Sequence, residues 1–410
     1  MRRYLLAAAP LLLTLLFGAL LWRAAWTPDG RVERLAAPYR YNLARWELQH
    51  LPGRWLYALG SALPWREAPS AGRRSAAVER YFALNRQIRE LEAAPAGPAA
   101  DPSGRVEALR AERDALENTV EAELEARLTA VLREQGLVER APLFHGWRLP
   151  WPPVDFEFDA TPSVLAVSPR ERIELSRTVL LAGGMRVEDA EALERAVEAG
   201  GVSALVVPTG GVATYPAVIP AGADYARAVE AMAHEWVHQY LFFHPLGFRY
   251  FQDPELATLN ETVATIAGED LAALVLARYP VPGEPSAPRR REAPGPMVGE
   301  RDFRSVMAEL RRRVDALLAE GRVAEAEAEM ERTRAELAAH GVFIRRINQA
   351  YFAFYGTYAT LPQSADPAGP RLRALRDAVP SVGEFLRLAA EIRSGEDLLR
   401  LLAERGVTPP

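Results

Sequence analysis

The 410-residue chain contains no cysteine, which excludes disulfide bonds and thiolate metal sites. It also contains no lysine, so every basic side chain is an arginine, a bias that indicates codon usage more than function. The 49 basic and 54 acidic residues are mixed along the chain, and the basic stripe typical of nucleic-acid binding is missing. The sequence therefore predicts no nucleic-acid partner and no thiolate metal site.

Histidine is scarce as well, and three of the six histidines fall between positions 234 and 244. An apolar pattern predicts a helix from about Asp224 to Phe243, on which His234 and His238 share one face. Both rings could therefore bind one metal ion. Glu235, one step round the helix, could reach a water bound to that ion. This spacing predicts a catalytic zinc site, which needs a third protein ligand and an open position for water.

The third ligand has one leading candidate and two alternatives. Glu261 stands in the run Leu259–Ala264, twenty-three positions after His238, on what we predict to be the next helix. Glu255 and Glu269 are the alternatives. Glu269 ranks second because it lies two turns beyond Glu261 on the same helical face.

The His-Glu-x-x-His segment and the downstream Asn-Glu pair together resemble the gluzincin superfamily of zinc metallopeptidases, in a membrane-anchored bacterial form. The resemblance covers about residues 205–270. It implies that His234, His238 and Glu261 bind Zn²⁺ and that Glu235 is the general base. It also implies an α+β fold, mainly helical, with a small mixed sheet packed on the pair of active-site helices.

One position departs from the family pattern. Thermolysin-like enzymes carry an aspartate four residues after the glutamate ligand, where it orients a histidine ligand, but this chain has Thr265 there. The hydrogen-bond partner of the histidines is therefore left open.

The resemblance places a substrate-binding edge strand just before the metal helix. We assign to it Gly211, Val212, Ala213, Thr214 and Tyr215. Adjacent glycines would let a peptide approach closely, and Pro216 suits an edge strand; a glycine turn without a ligand is the alternative. Gluzincin aminopeptidases carry a glutamate on this strand that binds the substrate's amino terminus. Its absence here favours an endopeptidase.

Three tyrosines are candidates for stabilising the oxyanion of the reaction. The family recruits a tyrosine or histidine from its C-terminal lobe for this purpose. Tyr351, Tyr355 and Tyr358 lie at i, i+4 and i+7 in an aromatic segment. Ordinary core packing is the alternative interpretation.

The chain begins with an apolar run, Tyr4–Trp22, which is long enough to cross a bilayer as one helix. Arg2 and Arg3 precede the run, and Trp26 follows it where an aromatic belt belongs. The cleavage site for a secretory signal is poor, so we predict an uncleaved, single-pass N-terminal anchor over residues 1–26. The catalytic part is expected outside the cytoplasm.

The remaining pattern divides the chain into three further segments. Residues 27–146 are predicted as an N-terminal helical region with a helical hairpin, 147–280 as the zincin-like catalytic domain and 281–410 as a C-terminal helical lobe. The expected function is zinc-dependent hydrolysis of a peptide or protein substrate by a metal-activated water. Within that interpretation an aminopeptidase is the second choice. A catalytically silent, metallopeptidase-like scaffold is the alternative from another class. The oligomeric state is left open.

Overall fold

The structure, a computed structural model, describes residues 30–43, 46, 70–93, 102–140, 148–250, 252–288 and 296–408. The predicted anchor, residues 1–26, lies outside the described residues. Within the described ranges, no helix is both long enough and apolar enough to span a bilayer. The single-pass anchor therefore stays a prediction.

Helices dominate the described chain, and strands form small sheets, so the fold is α+β and mainly helical, as predicted. The helices are α1 (Arg31–Ala36), α2 (Ala71–Ala93), α3 (Pro102–Asp114), α4 (Glu117–Glu134), α5 (Val187–Glu198), α6 (Tyr225–Leu241), α7 (Pro245–Phe248), α8 (Pro254–Arg278), α9 (Phe303–Ala319), α10 (Val323–Ala339), α11 (Gln349–Tyr355), α12 (Ala368–Asp377), α13 (Val382–Ala390) and α14 (Gly395–Glu404).

The strands pair both parallel and antiparallel. They are β1 (Glu139–Arg140), β2 (Arg148–Leu149), β3 (Phe156–Asp159), β4 (Ser163–Pro169), β5 (Arg177–Leu181), β6 (Val202–Pro208), β7 (Ala217–Pro220), β8 (Met297–Val298) and β9 (Arg301–Asp302). A three-stranded antiparallel sheet has the order β5–β4–β6. β3 and β7 form a separate parallel pair, in which Phe156 lies opposite Ala217.

The segments predicted to form a helical hairpin lie against each other. α2 packs against α3 and α4, and Arg80 of α2 pairs with Glu112 of α3 at 2.7 Å. On its other side α4 covers the edge of β3. The carboxylate of Glu121 accepts from the backbone N–H of Phe158 at 2.8 Å, which satisfies a donor that an open sheet edge would expose. The hairpin thereby fixes β3, and through it β7, beside α6.

α6 and α8 form the central helix pair. The carboxylate of Asp224 caps α6 by accepting from the N–H of Arg227 at 2.8 Å. The two helices touch at a glycine: a Cβ on Gly268 would lie 3.0 Å from Cα of His234. Only a residue without a side chain allows this approach, so Gly268 brings the two helices close together at the predicted metal ligand.

The largest hydrophobic cluster surrounds this helix pair. It joins apolar side chains of α2, α4, β3, β7, α6 and α8 with those of α12, α13 and α14. A second cluster packs α9, α10 and α11 against β6, and a third packs α1 and α5 against β4, β5 and β6. Elements distant in sequence thus hold the helix pair from both sides.

Candidate functional site

The candidate metal group lies between α6 and α8. Nε2 of His234 is 3.1 Å from Nε2 of His238, and these atoms lie 3.7 and 3.4 Å from Oε2 of Glu261. In the part of the chain that the structure describes, these side chains are the group whose ligand atoms all lie within 4.8 Å of one another. Two nitrogens and one oxygen converge on one point, so the group could hold a metal ion.

The two oxygens of the buried Glu261 carboxylate have different surroundings. The hydroxyl of Tyr250 donates to Oε1 at 2.5 Å. Oε2 is buried and has no hydrogen-bond partner among the described residues. Both histidine Nε2 atoms lie within ion-pair distance but beyond an ordinary hydrogen bond, and a cation between Oε2 and the two imidazoles would satisfy the oxygen more closely. The side chains therefore fit a metal ion.

Asn260 orients one of the histidines. Nδ1 of His238 lies 2.7 Å from Oδ1 of Asn260, so Nδ1–H donates and Nε2 is left to face Glu261. Thr265 takes no part in this, because its hydroxyl donates to the backbone carbonyl of Glu261 at 2.9 Å. The sequence did not identify the hydrogen-bond partner of His238, and the structure shows that it is Asn260, the residue before Glu261.

The charges within the group favour a cation at its centre. Burial lowers the pKa of His238, but the Glu261 carboxylate, aided by Glu235 and Asn260, outweighs burial and raises that pKa to about 9. Burial likewise opposes ionisation of Glu261, yet the imidazoles hold its pKa well below the usual range. Burial and the Glu261 charge raise the pKa of Tyr250 well above 10.0, so the phenol stays protonated and donates. A metal cation can take the place of the His238 proton.

Glu235 is buried beside the group. A Cβ on Gly211 would come 2.5 Å from Oε1 of Glu235, so the backbone of this glycine packs directly on the carboxylate. Nε2 of Gln239, also on α6, donates to the carbonyl of Thr214 at 2.5 Å. The predicted general base is therefore enclosed between α6 and the loop that precedes β7.

The prediction that Gly211 to Tyr215 form an edge strand is wrong. Gly211 to Tyr215 form a turn in which Val212 bridges to Val218 of β7 and the N–H of Thr214 donates to the carbonyl of Val212 at 2.9 Å. These hydrogen bonds close the segment on itself, and the strand beside α6 is β7, which begins after Pro216. That this turn binds substrate stays a prediction.

The three tyrosine candidates separate in space. Tyr351 is buried, its hydroxyl accepts from Nε2 of Gln363 at 3.0 Å, and Tyr355 packs beside it on the second hydrophobic cluster. Tyr358 is near enough to Tyr250 for its phenol to help raise the pKa of that residue. The N–H of the next residue, Ala359, donates to the hydroxyl of Thr262 on α8 at 3.1 Å.

The alternative third ligands lie elsewhere. Glu269 is buried against Arg373 of α12, with 3.5 Å between Oε2 and Nη2. Glu255 is exposed in the first turn of α8. Neither belongs to the group that could hold a metal.

Sequence reasoning missed Tyr250 and the role of Asn260. Tyr250 follows α7 in a loop, where no helical or strand periodicity predicts which way a side chain faces. The position of Asn260 was a usable signal, because a residue next to Glu261 on α8 can also reach α6.

Comparison with known proteins supplies no further constraint on this site. No family model matches the chain, and no curated protein or solved structure is found to be similar to it.

Proposed function

We propose that this chain is a zinc-dependent peptidase whose centre is His234, His238 and Glu261, with Glu235 as general base. The observation that carries the proposal is the buried Oε2 of Glu261, which lacks a hydrogen bond of ordinary length and faces Nε2 of both histidines at 3.7 and 3.4 Å. Beside it lies a second buried carboxylate, Glu235, whose place on α6 matches the spacing that metallopeptidases use.

Zinc is supported over other ions by the donor set and its spacing. Ligands about 2.0–2.1 Å from a tetrahedral zinc ion lie about 3.3 Å from one another. The three separations here are 3.1, 3.4 and 3.7 Å. Two imidazoles and one carboxylate also form the donor set of several catalytic zinc sites.

The side chains divide the work of peptide hydrolysis. A bound zinc ion would supply Lewis-acid polarisation of the scissile carbonyl and of the attacking water. Glu235 would accept the proton of that water during attack and pass it to the leaving amine. Tyr358 is the candidate donor to the developing oxyanion. Asn260 keeps His238 in the tautomer that leaves Nε2 free for the metal.

An endopeptidase is favoured over an aminopeptidase by charge. No acidic residue occurs between Ala204 and Ala223. The guanidinium of Arg227 lies beside the same segment, 3.6 Å from a Cβ built on Gly210. A positive charge there would repel a substrate's ammonium group. The proposed enzyme sits on the membrane through residues 1–26, with its catalytic part outside the cytoplasm.

Glu235→Gln tests the function. We expect this variant to keep about one zinc ion per chain and to lose peptide hydrolysis, because Glu235 moves a proton and holds no metal. Zinc content by elemental analysis and cleavage of a denatured protein substrate are the two measurements. His234→Ala is the matched variant, expected to lose both. A wild-type chain that binds no zinc would refute the metal centre, and a wild-type chain that binds zinc without hydrolysis would favour the silent scaffold.

A further inference from the structure

Tyr250 contacts the metal group from outside the two helices. It lies between α7 and α8, and its N–H donates to the carbonyl of Gly247 at 3.2 Å. Gly247 itself packs against the end of α6, since a Cβ there would lie 2.2 Å from the carbonyl oxygen of Leu241. The loop is therefore folded tightly onto the metal helix, and this fixes where the phenol stands.

The phenol occupies one oxygen of the candidate ligand. Its hydroxyl donates to Oε1 of Glu261 at 2.5 Å, which leaves Oε2 buried and facing the histidines. A carboxylate with both oxygens free can bind a metal through both, as calcium sites often require. When a phenol donates to one carboxylate oxygen, only the other oxygen is available to bind the metal.

We propose that Tyr250 is a positioning residue that presents Glu261 to the metal through Oε2 only, and so limits the protein to three ligand atoms. This inference rests on the proposed metal centre and not on peptidase activity. Three ligand atoms with an open position suit a small tetrahedral ion such as zinc. Larger oxygen-seeking ions such as Ca²⁺ and Mn²⁺ would gain from a second carboxylate oxygen. Tyr250 thereby acts on both metal affinity and metal choice.

The test compares Tyr250→Phe with Tyr351→Phe in the full chain. Both variants delete the hydroxyl of a tyrosine that makes a hydrogen bond within the structure, but Tyr351 bonds Gln363 in the second cluster. Zn²⁺ and Mn²⁺ affinities are measured by competition with a chromophoric chelator. We expect Tyr250→Phe to lose about 10- to 100-fold in zinc affinity, the range for partners of metal ligands, with a smaller loss for Mn²⁺. Tyr351→Phe should keep the wild-type values.

A second measurement does not depend on the variant's folding. X-ray absorption of the zinc-loaded wild-type chain should show a single carboxylate oxygen bound to the metal. A carboxylate bound through both oxygens, or a Tyr250→Phe chain with wild-type zinc affinity, would overturn the inference and leave the metal centre standing. A wild-type chain without zinc affinity would instead refute the proposed function and this inference together.

Discussion

At the scale of single residues, the orientation of His238 depends on Asn260. The amide oxygen holds Nδ1–H at 2.7 Å, and losing it would free the ring to turn its Nε2 away from Glu261. We expect Asn260→Ala to weaken zinc binding by about 10- to 100-fold, as for other partners of metal-bound histidines. Equilibrium titration with a competing chelator measures this.

Two variants serve as controls for that prediction. Asn260→Asp keeps an acceptor oxygen and should retain most of the affinity. Asn348→Ala removes an amide that caps α11, where Oδ1 accepts from the N–H of Tyr351 at 2.9 Å, and should leave zinc binding unchanged. Equal losses in Asn260→Ala and Asn348→Ala would assign the effect to general destabilisation.

The ion pair between His238 and Glu261 predicts a pH dependence of stability for the chelator-treated chain. The folded pKa of His238, about 9, lies above its unfolded value of 6.5. The contribution of the pair is therefore full below pH 6.5 and is lost as pH rises through 9. The pKa of Glu261, held below 4.5, adds a loss towards acid as pH falls below that value. These shifts describe one interaction seen from its two partners, so its energy is counted once.

Thermal unfolding in excess chelator checks this dependence. The melting temperature should fall between pH 6.5 and pH 9. Glu261→Gln removes the partner charge, so its melting temperature should change less over the same interval. A wild-type curve that runs parallel to that of Glu261→Gln would contradict the prediction.

The candidate ligands could be predicted from the sequence, and their hydrogen-bond partners could not. His234 and His238 follow from helical periodicity, and Glu261 from its distance and neighbours in a family-like pattern. Tyr250 acts from a loop, whose path is set by packing against α6 rather than by any repeat in the sequence. Thr265 misdirected the search for a partner, since the hydrogen bond to His238 comes from Asn260.

At the scale of elements, the contact between α6 and α8 depends on Gly268. A Cβ there would lie 3.0 Å from Cα and 3.1 Å from N of His234, which is backbone that cannot turn aside. We expect Gly268→Ala to destabilise the chain by about 1–3 kcal/mol, as overpacking does, and to weaken zinc binding by moving His234. Urea unfolding and zinc titration measure the two effects.

Gly72→Ala is the matched helical control. A Cβ at Gly72 meets nothing within 4 Å, and alanine at a compatible position stabilises by about 0.4–1 kcal/mol. Unchanged stability and zinc affinity in Gly268→Ala would show that the helices can separate at no cost to the site.

Helices were predicted better than the strand beside the metal helix. α6, α8, α9 and α10 agree with their periodic patterns and caps, because a helix closes its hydrogen bonds locally. β7 was missed: it is four residues long and is defined by its parallel partner β3, far away in sequence. The resemblance to gluzincins placed the strand upstream, at Gly211 to Tyr215, but that segment forms a turn.

At the scale of the whole molecule, the charge of the segment that precedes the metal-group helix predicts which substrates are cut. A free ammonium without a carboxylate partner would be costly to bury, and the exposed Arg227 adds repulsion. We expect internal bonds to be cleaved, with N-acetylated peptides hydrolysed about as fast as free ones. Mass spectrometry of the products shows the cleaved bonds. Release of single N-terminal residues that acetylation blocks would identify an aminopeptidase instead.

The shared core around the helix pair has a consequence for how the chain is made. Val78 of α2 and Leu402 of α14 belong to the same hydrophobic cluster as Trp236 of α6 and Val263 of α8, the two helices with the candidate metal ligands. Contacts so distant in sequence form late, because the intervening chain must be closed before they are made. During synthesis α6 and α8 emerge long before α14 and lack part of their packing until it arrives. Full packing of the candidate metal group is thereby tied to the arrival of α14.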